Sequence, residues 1–502
     1  MPTIGSGGVL VDIASRMLPS TSLARALLIG VSAATCLLAV ACSKDEKRLP
    51  APPEAALWAA FGTSENDTGF GLRLEPGVDG EAWVFDISGY RLICPAARTD
   101  EGWHFEGCTG LPSWLFGFQA DVSATDGEPM TVSLDLAETD LTTKLARVPN
   151  RDEPVKSENV ELVWDRPTDA SCSSRSGVWA EDGLVFAPCF SGIIEILDAA
   201  TGALKSRATL RDAPGGDFSA VLEVTARDGI LYAATTNKGV VAFDVRDPAQ
   251  PRFLGSFYHD DPIEASPDDV TNIHTLTLSP DGKLLFAINQ SHPRSDIRII
   301  DVSDPANMRQ AGIYLPRTSS RAFGFSHDLS LEERDGKLIG YYYQLAGGLH
   351  ILDVSDPANV QEAGALNWPR TLSHSGWPFA ANGKRYLAHM DEGYDQGMTV
   401  IDVTNVAEPS IVSTYKTRDG ISIHNIRVID RIAFISYYVD GLRIVDLHDP
   451  AHPREIGHYD TVPAEGETGI WEGAWGVHVD GGLIYISDRS SGVYAFRFTE
   501  AP

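Results

Sequence analysis

The chain has 502 residues with 69 acidic and 40 basic side chains, giving a formal net charge of −29. Hydrophobic residues make up 43% and charged residues 22%, ordinary globular proportions that exclude a wholly disordered protein. So acidic a chain repels phosphate backbones, which excludes sequence-independent nucleic-acid binding, and its 46 glycines and 30 prolines suit short strands and tight turns better than a helical bundle.

The first segment reads as an address. Residues 26–41 (ALLIGVSAATCLLAVA) form an apolar run of 16, preceded by Arg16 and Arg25 and followed by Cys42. That is the size of a secretory h-region, whereas a spanning helix needs about 20 apolar residues. Leu38-Ala39-Val40-Ala41-Cys42 resembles the lipobox of bacterial lipoproteins, with Ala39 where a leucine is usual and Leu38 one place early. The resemblance implies a signal peptide over 1–41, cleaved before Cys42, and lipidation of that cysteine. The expected location is the bacterial cell envelope, with Ser43 favouring the outer membrane or surface. An uncleaved N-terminal anchor is the alternative. Met17 offers a second start and a 25-residue signal. Residues 42–54 read as a charged, proline-bearing tether.

Residues 55–156 are expected to form a small disulfide-stapled β domain, since AWVFDISGYRLIC, WHFEGC and PMTVSLDLAE read as strands with polar turns. Its Trp58, Trp83, Trp103 and Trp114 would serve core packing or line a groove. With Cys36 in the signal and Cys42 as the lipid site, four cysteines remain, an even number that suits an exported chain. Facing residues in a hairpin have numbers of constant sum. A turn at Asp100-Glu101 sets that sum near 201, and Cys94 with Cys108 gives 202. A turn at Glu181-Asp182 sets 363, and Cys172 with Cys189 gives 361. Both pairs are therefore expected as disulfides, with four buried free thiols as the alternative.

From about residue 170 the chain repeats itself. GVVAFDVRDPAQP (239–251) recurs as IRIIDVSDPANM (297–308), GLHILDVSDPANV (348–360), MTVIDVTNVAEP (398–409) and GLRIVDLHDPAHP (441–453), with weaker copies at 193–202 and 492–500. The closing aspartates stand at 198, 244, 301, 353, 402 and 446, with Arg497 in the seventh place. Residues 160–502 divide into seven units of 49, the length of one four-stranded propeller blade. The Asp-x-x-Asp-Pro element predicts a strand end followed by a tight turn, so these aspartates are structural rather than catalytic. The seventh unit ends after its third strand, and the orphan strand NVELVW (159–164) is expected to supply its outer edge and seal the ring. The predicted fold is all-β: a seven-bladed β-propeller over 157–502, preceded by the small β domain.

The repeated phrase resembles the LVIVD repeat family of exported prokaryotic β-propellers, with Asn405-Val406 replacing Asp-Pro in the fifth unit and Arg497 departing in the last. The resemblance implies fold and export and assigns no activity, so function has to come from the site.

Aligning the units puts His274, His327, His374 and His424 at one place, the start of the innermost strand of blades three to six, with Trp475 in blade seven. An arc of imidazoles at one channel mouth suits a transition metal such as Cu or Zn. Equally, each histidine could bond neighbouring backbone in its own blade, or contact a ligand without metal. The same face receives His292, His389 and Asp391 from loops between second and third strands. Tyr258, His259, Asp260, Asp261, Asp268 and Asp269 arrive in the connection 258–273, and Arg317, Arg321, Arg370 and Arg418 in other inter-blade connections. Trp475, Arg321, Arg370, His389 and Asp391 are the candidate ligand contacts. No Gly-x-Ser-x-Gly elbow, P-loop, dinucleotide fingerprint or His-Glu-x-x-His helix is present, so an enzyme reading rests on the histidines alone. Propellers that resemble this one include metal-dependent oxidases with channel histidines, which keeps that reading as the alternative. The expected function is a membrane-anchored lipoprotein whose propeller is a rigid platform for a protein or glycan partner.

Overall fold

The computed structural model describes residues 157–499 apart from 173, 216–218, 260–269, 291–294, 317–325, 370, 394 and 463–470, together with the backbone of eight strands between 56 and 147. Those eight strands pair antiparallel in chain order, and the first, Ala56–Phe61, also pairs with the last, Thr139–Arg147. The small β domain is thus a closed up-and-down barrel, an arrangement without a free sheet edge. The signal peptide, the tether and Cys108 lie outside the described residues, as does the side chain of Cys94, so the Cys94–Cys108 pairing and the lipidation of Cys42 are not reached.

Residues 160–498 form seven four-stranded antiparallel sheets, and each inner strand packs on the inner strand of the next sheet until the seventh meets the first. Blades one to seven cover 179–209, 221–257, 273–314, 326–366, 373–415, 425–459 and 474–498. A blade in a ring is covered on both faces. Its middle strands therefore read as continuous apolar runs rather than alternating ones. Val240–Asp244, Met398–Asp402 and Leu442–Asp446 are each buried at every position before the terminal aspartate. The core accordingly lies between blades: Met390, Met398 and Val400 of blade five pack with Ile426, Ile435 and Val445 of blade six.

The aspartates of the repeat do the work expected of them. Asp301 Oδ1 accepts the Ser303 N–H at 3.0 Å, and Asp304 Oδ1 accepts the Ala306 N–H at 3.2 Å. The same pair of bonds recurs at Asp353 and Asp356, and at Asp446 and Asp449. In blade five Asn405 takes the place of the second aspartate and its Oδ1 accepts the Ala407 N–H at 3.2 Å, so the departure from Asp-Pro leaves the turn intact.

The chain enters the ring at Ser157–Glu158, a fifth strand on the outer edge of blade six. It then crosses at Asn159, which has a φ of 54°, and runs as Val160–Pro167 along the last strand of blade seven, Gly492–Phe498. From this outer strand Arg166 reaches blade one and donates twice, at 3.0 Å each, to the buried carboxylate of Glu195. Arg175 and Arg207 donate to the same carboxylate at 2.7 and 2.6 Å. Donation from Arg166 and the other two guanidiniums outweighs burial and holds Glu195 down to about 2.

Cys172 and Cys189 form a disulfide with Cα atoms 5.5 Å apart. The residue facing Cys189 across the hairpin is Arg175, and Cys172 arrives from a turn closed by its N–H on the Asp169 carbonyl at 2.9 Å. The pair forms, but from a loop doubling back beside the strand rather than from opposite ladder positions.

Candidate functional site at the channel mouth

In each blade the inner strand begins at the end of the ring that receives the connection from the previous blade. Loops between second and third strands open at that same end, because neighbouring strands are antiparallel. His274, His327, His374 and His424 stand there, together with Trp475. Their rings form one continuous row, with centroids 4.2 Å apart from His274 to His327, 4.0 Å from His327 to His374, 4.3 Å from His374 to His424 and 4.1 Å from His424 to Trp475. The row therefore crosses five blades, and the sequence-predicted arc is brought together.

Each ring leans on the next blade. Nδ1 of His274 bonds the His327 carbonyl at 3.2 Å, Nδ1 of His327 bonds the His374 carbonyl at 3.1 Å, and Nδ1 of His424 bonds the Trp475 carbonyl at 2.6 Å. A carbonyl can only accept, so these three Nδ1 atoms carry the proton and their Nε2 atoms carry a lone pair. Burial pushes the His274 imidazole down to about 4, and it also drives His327, His374 and His424 well below the ordinary value. Every ring in the row is neutral at pH 7. Blade-to-blade bonding of this kind is a structural role, and it leaves the Nε2 side of the row available.

Glu392, in the loop between the second and third strands of blade five, faces that side. Its Oε2 lies 3.6 Å from Nε2 of His374, and its Oε1 accepts the hydroxyl of Tyr438. Burial pushes this carboxyl up to about 7. Arg489 stacks on Trp475 with its guanidinium carbon 4.8 Å from the ring centroid, and it pairs with Glu472 at 3.3 Å.

Three residues beyond the arc a second tier faces the channel. Arg427 of blade six lies 4.6 Å from the ring centroid of Trp377 and 5.7 Å from that of Trp179, which belongs to blade one, beyond blade seven. His478 of blade seven stacks on Trp179 at 4.2 Å. Glu223 and Asp328 also interact with Arg427, and burial pushes their carboxyls up to about 7 and about 6. Sequence reading missed this tier and Glu392. The signal was available for part of it: Trp377, Arg427 and His478 each follow their arc residue by three.

Among the other candidates, His389 is fully buried, with Nε2 bonded to Ser373 Oγ at 2.8 Å and its ring edge-on to Trp368. Asp391, also buried, accepts the Leu372 and Gly393 N–H groups at 2.8 and 3.0 Å. Both sit beneath the mouth and brace its loops. Arg418 pairs with Asp440, and His259 forms a bridge with Val270. His292, Arg317, Arg321, Arg370, Asp260, Asp261, Asp268 and Asp269 lie outside the described residues.

Seven antiparallel sheets in a ring with one histidine-lined mouth define a seven-bladed β-propeller. Within it, the family model described as "LVIVD repeat" matches residues 294–315, 338–367, 393–417 and 423–461, in blades three to six, and the chain carries LVIVD repeats. A similar solved structure is that of the computationally designed Ika8 protein, at 10% identity and a TM-score of 0.42, with 75% of this chain and 93% of that chain covered. No curated protein matches the chain.

Proposed function

We propose that the protein is an exported, lipid-anchored envelope protein whose propeller is a rigid platform binding a protein or glycan partner at the histidine-lined mouth. The observation that carries this reading is the asymmetry between the two ends of the ring. At the mouth, the connections between Phe257 and Ile273, Tyr314 and Ser326, and Tyr459 and Ala474 span 15, 11 and 14 residues. At the opposite end, two-residue turns join the first and second strands of six blades. Long connections on a rigid scaffold are where recognition residues concentrate. The Cys172–Cys189 disulfide supports an oxidising compartment, and among the described residues no helix is long and apolar enough to cross a membrane.

Two measurements test the proposal. Cys42→Ala removes the lipid site, and the protein is expected to move from the membrane to the soluble fraction, because several acyl chains at roughly 0.8 kcal/mol per buried CH₂ would be its anchor. Membrane retention equal to wild type sinks the lipoprotein reading. For the platform, a photo-crosslinking residue at Asp419, exposed in a mouth connection, should capture a discrete partner in cells. The same residue at Asp335, exposed at the far end, should not. Equal capture from both ends, or none at Asp419, removes the platform.

A further inference from the structure

We infer that His327, His374 and Glu392 form a binding site for one divalent first-row transition-metal ion, with coordination positions left open toward the channel mouth. One ligand atom from each residue lies within 4.8 Å of the other two. An ion about 2.1 Å from each ligand in tetrahedral geometry spaces those ligands about 3.4 Å apart. The His374 Nε2–Glu392 Oε2 separation of 3.6 Å already has that spacing, and closing the remainder takes a movement on the order of an ångström.

Three further features point to a ligand rather than to packing. His374 is 2% exposed, yet its Nε2 has no hydrogen-bond partner and faces a carboxylate oxygen too distant for a hydrogen bond. A buried polar group left unmatched in this way marks the place of an ion or water. His327 donates Nδ1–H to a backbone carbonyl at 3.1 Å, which fixes the tautomer that presents Nε2 to a metal. Glu392 is positioned from behind: Tyr438 holds Oε1, and the Ser422 hydroxyl bonds the backbone carbonyl at 2.7 Å, leaving Oε2 directed at the histidines.

Two imidazoles and one carboxylate suit Zn²⁺, Co²⁺ or Fe²⁺, and the nitrogen ligands disfavour Ca²⁺ and Mg²⁺. The set differs from the four-histidine arc expected of the sequence. His274 and His424 extend the row on either side, but they are not members of this cluster. The inference is independent of the platform, because it concerns what the mouth holds rather than what docks on it.

The test is titration of the full-length protein, purified without a histidine tag and stripped with chelator, using Co²⁺ and Zn²⁺. The expected result is one Co²⁺ per chain by equilibrium dialysis, visible d–d absorption, and a melting temperature that rises with added metal by mass action. His374→Ala and Glu392→Gln should each weaken binding at least tenfold. The glutamine keeps an acceptor for Tyr438, so that variant is expected to fold, as its metal-free melting curve will show. His274→Ala should bind within about threefold of wild type. Absence of stoichiometric Co²⁺ binding by wild type overturns the proposal. So does wild-type affinity in both ligand variants, or a loss in His274→Ala as large as in His374→Ala, which would return the site to the whole arc.

Discussion

Six two-residue turns join inner to second strands, and in all six both residues have positive φ. This is the hairpin turn whose twist matches that of the strands, and it favours Asn or Asp followed by Gly. Asp182-Gly183, Asp228-Gly229, Asp335-Gly336 and Asn382-Gly383 follow that rule, and Gly481-Gly482 satisfies it twice. Blade six breaks it with Asp430-Arg431, where the exposed arginine is held at a φ of 66°. A non-glycine residue in the left-handed region costs roughly 1–2 kcal/mol, part of which glycine's greater unfolded-state entropy would offset. Arg431→Gly is therefore expected to stabilise the propeller by up to about 1 kcal/mol, read as a higher denaturation midpoint at an unchanged slope. A lower midpoint would mean that the arginine side chain holds something the backbone argument omits. These turns were legible in the sequence because their chemistry is local.

Between neighbouring blades the Asp-Pro turn has a second task that the sequence did not disclose. The carbonyl of its proline, or the carbonyl beside it, lies against the outer strand of the preceding blade, where only a small residue fits. A Cβ added at Gly312 would stand 1.7 Å from the Pro357 oxygen, one at Gly364 would stand 1.9 Å from the Val406 oxygen, and one at Gly255 would stand 2.8 Å from the Ala306 oxygen. Where serine replaces glycine, its hydroxyl bonds the same carbonyl: Ser206 to Pro248 at 2.5 Å and Ser413 to Pro450 at 2.7 Å. Val406 substitutes for proline in blade five without loss, since what matters here is a carbonyl in that place. Gly312→Ala should destabilise by about 1–3 kcal/mol through overpacking, whereas the strain-free alternative predicts almost no change. Thermal denaturation of Gly312→Ala beside wild type decides between them.

For the whole ring, one strand from the start of the propeller decides whether seven blades close. Val160–Pro167 supplies the outer edge of blade seven, and its Arg166 inserts into the buried Glu195 cluster of blade one. Removing one partner of a buried charge cluster typically costs several kcal/mol, and removing the strand also exposes the edge of Gly492–Phe498. A chain starting near residue 156 should fold, whereas one starting at residue 168 should melt well below it. Equal melting temperatures would show that the strand does not seal the ring. The acid response follows the same cluster. Glu195 is held below its unfolded value, so its contribution is present above about pH 4.5 and is lost as pH falls toward about 2.

The sequence by itself determined the repeat, its length of about 49 residues, the four-strand reading of each unit and the alignment of the four histidines, because each rests on local periodicity and turn chemistry. The tertiary structure decided what those residues meet. Glu392 belongs with His374 because a second–third loop and an inner strand share one end of the ring. Arg427 meets Trp179 because blades six and one both flank blade seven in the closed ring. The barrel closes because Ala56–Phe61 finds Thr139–Arg147 across the whole domain. Each of these is a contact between residues far apart in the chain, and pattern along a strand carries no record of its partners across the ring.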